Sequence, residues 1–303
     1  MSRQWIRQPE RGTRLALRLI GWIALHLGRP PARLLLLPIT LYFLIAAPQR
    51  RRASAAFLQR VFGRTPRIWH VARHIHTFAA TILDRVYLVS GQQHRFDIRI
   101  HGGEVLLDKV RRGQGCILLG SHLGSFEVLR ALTAGPSAVP LKILMYPDHN
   151  QRITEFFASI NPNIASTVIP LGRPDSMLAV HEALGQGAIV GMLGDRVSEN
   201  DRVVRCRFLD SDTAFPAGAM LLASLLDVPV VLAFGLYRGK NRYSVHFEAF
   251  AEHVATDRRS RNADICRWTQ RYVDCLEKYA RHAPYNWFNF YDYWSEDTYA
   301  SRH

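Results

Sequence analysis

The chain predicts an α/β fold: a mostly parallel central sheet covered by helices, with an N-terminal membrane-associated helical segment. Three observations lead there. Short apolar runs bounded by Gly and Pro alternate with stretches of three- and four-residue periodicity, the pattern of strands joined through helices. A strand–turn–helix unit at 115–127 carries a histidine at the carboxyl end of its strand, the place where open α/β sheets collect ligands. The formal charge of +14 is also one-sided: residues 1–100 hold 17 arginines and three acids, while the remainder holds 22 of each sign.

That imbalance marks residues 1–50 as a basic, amphipathic and apolar membrane-anchoring segment and 51–303 as the main domain. Arg3, Arg7, Arg11, Arg14 and Arg18 would line one face of a helix, with Leu15, Leu19, Trp22 and Ile23 extending an apolar surface beyond it. After Gly28 and the pair Pro30-Pro31, an apolar run at 34–47, interrupted by Pro38, ends at Arg50-Arg51-Arg52. Its 14 residues cover about 21 Å as a helix, short of the roughly 30 Å hydrocarbon core. The run begins too late for a signal peptide, and Pro48 stands where cleavage would fall. A buried core helix beside an exposed basic one gives the same pattern. Arginines on both flanks favour a segment that dips into a membrane and returns to its cytoplasmic side. No nucleic-acid reader motif accompanies the charge.

Along the rest of the chain, periodicity predicts helix over 53–90, with Asp84 and Arg85 as a local ion pair. Phe96, Ile98 and Ile100 alternate as a strand, followed by helix 103–112 and strand 116–119. Strands are expected at 141–146, 166–171, 188–193, 205–209 and 229–234, and an edge strand at 243–250. Helices are expected at 126–134, 153–160, 175–186, 219–226 and 264–281; Thr213 to Gly218 is read as the opening of the fourth. The aromatic tail from Pro284 to Trp294 reads as packing of the last helix against the sheet, with substrate contact as the alternative.

His122 and Glu127 form the candidate catalytic pair. Within one helix a five-residue step separates side chains by about 140°. They meet only if His122 lies in the loop and Glu127 in the first helical turn, which Gly120, Ser121, Gly124 and Ser125 permit. A carboxylate holding one ring nitrogen leaves the other as a general base. The spacing alone arises by chance at this composition, so the strand–turn–helix context carries the assignment. The four cysteines form no C-x-x-C pair or zinc-spaced cluster; reduced thiols and no metal are expected. No serine nucleophile elbow occurs in the sequence.

In order, His122-x4-Glu127, Gly191 to Arg196, Phe215-Pro216-x-Gly218 and Val228 to Val231 resemble the four blocks of the lysophospholipid/glycerophosphate acyltransferase superfamily. The N-terminal helix, Glu127 in place of Asp and the late Tyr285-Asn286-Trp287 resemble its late lipid A acyltransferases. Asp84 to Tyr87 and Asn286 to Trp294 are similar to a side branch found in aryl polyene and xanthomonadin pigment clusters. The resemblance implies an inner-membrane enzyme of the cytoplasmic face, with no cofactor beyond an acyl thioester co-substrate. The group moved would be a fatty-acyl or aryl-polyene acyl group from a thioester of acyl carrier protein, with coenzyme A as the alternative donor. The acceptor would be a hydroxyl of a lipid or glycolipid. His122 would be the base and Glu127 its partner. Arg173, Asp195, Arg196, Phe215, Pro216 and Gly218 would bind substrate, with Arg173, Arg196 or backbone N–H groups at 120–125 meeting the oxyanion. Two departures fall on the acceptor side: Ala217 stands where many members carry Glu, and Arg196 where the lipid A enzymes carry Gln. A late lipid A acyltransferase proper, a covalent serine enzyme and a non-catalytic membrane-peripheral lipid- or carrier-binding protein are the alternatives.

Overall fold

The computed structural model describes residues 14–133, 140–146, 151–198 and 201–295, so Arg3, Arg7 and Arg11 lie outside the described residues. Its strands are β1 (Asp97–His101), β2 (Cys116–Gly120), β3 (Leu141–Met145), β4 (Val168–Pro170), β5 (Ile189–Leu193), β6 (Val203–Phe208), β7 (Ser211–Pro216), β8 (Val230–Tyr237) and β9 (Arg242–Ala251). Seven form one sheet in the order β1-β9-β8-β2-β5-β3-β4. The five from β8 to β4 run parallel, while β9 pairs antiparallel with β8 and β1 follows β9. β6 and β7 form a separate antiparallel hairpin.

β2 is the middle strand, and every one of its residues is buried. Ile117 and Leu119 enter one core with Phe57, Val180, Phe215 and Tyr272. Cys116 and Leu118 enter the other with Leu83, Val128, Phe157 and Val245. Burial on both faces removes the alternation of a half-exposed strand, which is why the run is continuously apolar. The helix Ile68–Val89, about 33 Å long, contributes to both cores: Val71 and Ile75 to the first, Leu83 and Val86 to the second.

The expected helix at 53–90 is two helices, Pro48–Phe62 and Ile68–Val89. Gly63 caps the first in the left-handed region at φ 65, and Pro66 cannot continue it. Thr213 to Pro216 belongs to β7, and the helix that follows starts at Gly218. The strand at 243–250 is not an edge, because β1 pairs outside it. Asp84 and Arg85 do not pair with each other. Asp84 binds Arg29 at 2.8 Å, and Arg85 binds Glu127 at 2.9 Å.

The described part of the N-terminal segment comprises the helices Arg14–Leu27, Arg29–Leu34 and Leu36–Ala46. Ala24, Ala32 and Leu36 are buried in the second core. The fully buried Asp84 accepts from the Arg29 guanidinium at 2.8 and 2.9 Å and from the Tyr243 hydroxyl at 2.9 Å. Arg33 reaches the Tyr237 hydroxyl and the Lys240 carbonyl, both at 3.0 Å, and Arg29 also donates to that carbonyl. The segment is thereby fastened to the β8–β9 end of the sheet.

Candidate active site

The register places the site. β2 and β5 are parallel neighbours with Gly120 opposite Leu193, so His122 and Asp195 each follow two residues beyond the same rung. With strands about 4.8 Å apart, side chains at equal offsets past the crest come into contact. The His122 Nδ1 lies 2.8 Å from Asp195 Oδ1. The His122 backbone N–H lies 3.0 Å from both carboxylate oxygens.

Asp195 is fully buried and accepts two more hydrogen bonds at Oδ2, from Trp287 Nε1 at 3.1 Å and Asn289 Nδ2 at 2.9 Å. Its carbonyl accepts from the Tyr293 hydroxyl at 2.7 Å. Burial opposes ionisation, but contact with His122, the charge of Arg196 and the Asn289 amide outweigh it and bring the carboxyl down to about 2. Burial, followed by the Arg196 charge, lowers His122 below its ordinary value against the pull of Asp195. The ring is therefore neutral at pH 7, with its proton on Nδ1 facing the carboxylate and the Nε2 lone pair free. Among the described residues Nε2 has no partner, and the side chain is 26 % exposed.

The loop holding His122 is clamped from two sides. Gly124 N–H donates to Asn286 O at 2.8 Å, Ser125 N–H to Gly235 O at 2.7 Å, and Phe288 N–H to His122 O at 2.8 Å. Gly124 sits at φ +83, and a Cβ there would fall 2.1 Å from Gly235 O, so the close approach to β8 requires glycine. These bonds, with that of the His122 N–H, occupy three of the backbone donors expected to meet an oxyanion.

Glu127 stands in the first turn of the helix Phe126–Thr133, as expected, where its charge suits the helix dipole. Its carboxylate is taken by Arg85 at 2.9 Å and Arg130 at 3.6 Å, not by His122. The expected partnership therefore changes hands: Asp195, placed beforehand with the substrate contacts, holds the histidine. Arg196 lies beside the pair, its Nε donating to Asn289 Oδ1 at 2.7 Å and its Nη2 to Phe288 O at 3.0 Å. Asn289 thus bridges Asp195 and Arg196, and the two contacts fix which end of its amide faces which. Arg173 is exposed in the turn after β4. Phe215 is fully buried edge-on to Tyr272 and Tyr293, so it supports the site from behind. Pro216 ends β7, and Gly218 opens the helix Gly218–Leu226.

The residues missed from sequence are Trp287, Asn289 and Tyr293. The density of polar-tipped aromatics from Tyr285 to Trp294 was the available signal: such side chains are buried where their N–H or O–H finds a partner. The tail does pack against the domain, and it also supplies Asp195 with three of its donors.

The arrangement can take a proton from a hydroxyl at Nε2 and stabilise the resulting imidazolium. Among curated proteins no match is found. The model of the bacterial lipid A biosynthesis acyltransferase family matches residues 4–296. With that match over nearly its whole length, the chain belongs to the bacterial lipid A biosynthesis acyltransferase family and is an acyltransferase.

Proposed function

We propose that the protein moves a fatty-acyl group from the thioester of an acyl carrier protein to a hydroxyl of a lipid or glycolipid at the cytoplasmic face of a membrane. His122 is the base and Asp195 the residue that positions it. The observation that supports this most is the 2.8 Å contact between His122 Nδ1 and the ionised Asp195, which leaves Nε2 bare at the crest of the sheet. Nε2 takes the acceptor O–H proton as the oxygen attacks the thioester carbonyl. The new C–O bond forms, the C–S bond breaks, and the imidazolium returns its proton to the departing thiolate. The positive charge of Arg196 beside His122 favours the tetrahedral oxyanion. Glu127 holds Arg85 and Arg130 at the start of the helix that follows the His122 loop.

Removal of a general base costs about 10²–10⁴ in rate. His122→Ala should therefore lose at least about a hundredfold in acyl transfer while melting at the wild-type temperature. Mass spectra of lipid extracts from cells expressing either protein check this and name the acceptor: a His122-dependent species heavier by one acyl group is expected. Equal extracts from two folded proteins would refute transfer and leave a lipid-binding protein.

A further inference from the structure

The helices between Arg14 and Ala46 expose the faces that soluble proteins bury. Leu34, Leu37, Leu41 and Ile45 recur at three- and four-residue steps, each more than half exposed. The opposite face, through Ala32, Leu36 and Thr40, packs on the domain, with Thr40 Oγ1 3.2 Å from His76 Nδ1 of the helix Ile68–Val89. The preceding helix exposes Leu19, Trp22 and Leu25. Of the 16 exposed large hydrophobic residues among those described, 11 fall between Leu19 and Trp69. From Arg11 to Leu83 the chain holds twelve arginines and no Asp or Glu.

By length and composition the stretch Arg29–Ala46 could cross a bilayer. Its contacts oppose that. Arg29 is bound to buried Asp84, Arg33 to Tyr237 and Lys240, and Thr40 to His76, so the stretch lies alongside the helix Ile68–Val89 for most of its length. A crossing orientation would carry that helix, with Arg73, Asp84 and Arg85, into hydrocarbon, where ionised side chains are expensive.

We propose that the helix Arg14–Leu27 and the adjoining pair Arg29–Leu34 and Leu36–Ala46 lie flat in one leaflet of an anionic phospholipid bilayer, with the leucine faces inserted and the arginine-rich flanks at the headgroups, and do not span it. Leucines on one face and an acid-free, arginine-rich sequence match an interfacial helix pair in both apolar and charged respects. The pair joins the sheet at Tyr237, at the carboxyl end of β8, the end at which His122 follows β2. A lipid could then reach Nε2 with its chains still in the leaflet. The inference rests on exposure and packing, and its test involves no turnover, so it stands or falls separately from the acyl-transfer reading.

The test uses the full chain with Cys266→Ser and Cys275→Ser, spin-labelled singly at Leu34→Cys, Leu37→Cys, Leu41→Cys and Ile45→Cys, on phosphatidylglycerol/phosphatidylcholine vesicles. Flat insertion puts all four labels at one depth within one leaflet. A spanning helix would move them by about 16 Å from the first to the last, at 1.5 Å per residue. That result overturns the proposal. So do labels that remain in water, that are shielded by self-association without vesicles, or that only an added acidic carrier protein shields. Leu37→Glu with Leu41→Glu should weaken vesicle binding at least tenfold with an unchanged melting temperature; undiminished binding overturns the proposal as well.

Discussion

Replacing Asp195 by Asn separates the two candidate partners of His122. The carboxylate accepts from four N–H groups: His122 Nδ1, the His122 backbone, Trp287 Nε1 and Asn289 Nδ2. An amide offers one oxygen and one NH₂. If the oxygen faces His122, the Trp287 and Asn289 donors lose their acceptor in a fully buried position, at about 1–3 kcal/mol each and so about 2–6 kcal/mol in total. If the NH₂ faces His122, Nδ1 must become the acceptor, the ring proton moves to Nε2, and the base is lost, at about 10²–10⁴ in rate. Either way the carboxylate no longer raises the His122 pKa, so the acid limb of the rate profile moves to lower pH. The assay is initial-rate acyl transfer from a long-chain carrier-protein thioester in detergent between pH 5 and 9. Urea denaturation gives the stability, and histidine ¹⁵N NMR gives the tautomer. With the NH₂ towards His122, Asp195→Asn should lose at least about a hundredfold, and in either orientation its acid limb is displaced. Glu127→Gln, which leaves the His122 contact intact, should keep the wild-type limb. A displaced limb in Glu127→Gln with Asp195→Asn near normal would refute the reasoning and restore Glu127 as the histidine's partner.

Two further outcomes test the frame around the site. Arg29→Ala leaves buried Asp84 with the Tyr243 hydroxyl as its one hydrogen-bond donor among the described residues, and removal of one member of a buried pair costs about 3–5 kcal/mol. Urea denaturation should show that loss, and Arg29→Met combined with Asp84→Leu should recover much of it. His74 is fully buried between Ser54 Oγ and Trp287 O, each 2.8 Å away, and burial brings its pKa to about 4. Its folded value is depressed, so the unfolded chain binds the extra proton, and stability falls as pH drops from 6.5 towards 4. The difference of about 2.5 units is worth about 3 kcal/mol, measurable as the change in denaturation midpoint between pH 7.5 and pH 4.5, and His74→Gln should remove that part of the slope.

Elements were legible where local chemistry decides them. The central strands are apolar runs between Gly and Pro, and burial on both faces keeps them so. β7 escaped because the β6–β7 turn uses Leu209 and Asp210 at φ 50 and 62. That geometry usually announces itself through Asn-Gly or Asp-Gly, and here no glycine marks it. The break between the helices at Phe62 and Ile68 was written in Gly63 and Pro66, yet the apolar period runs across it.

The sequence by itself determined the strand–turn–helix that lifts His122 to the end of β2, the family, and the charge asymmetry of the first third, because each of these is a property of contiguous residues or of ordered blocks. Tertiary structure alone decided who holds His122. Glu127 is five residues away and turns to Arg85; Asp195 is 73 residues away and within 2.8 Å. The cause is sheet order, which sets β5 beside β2 with Gly120 opposite Leu193, a long-range pairing that no local periodicity encodes. The same holds for the tail: its aromatic density foretold burial, but only the folded chain brings Trp287 and Asn289 to the Asp195 carboxylate.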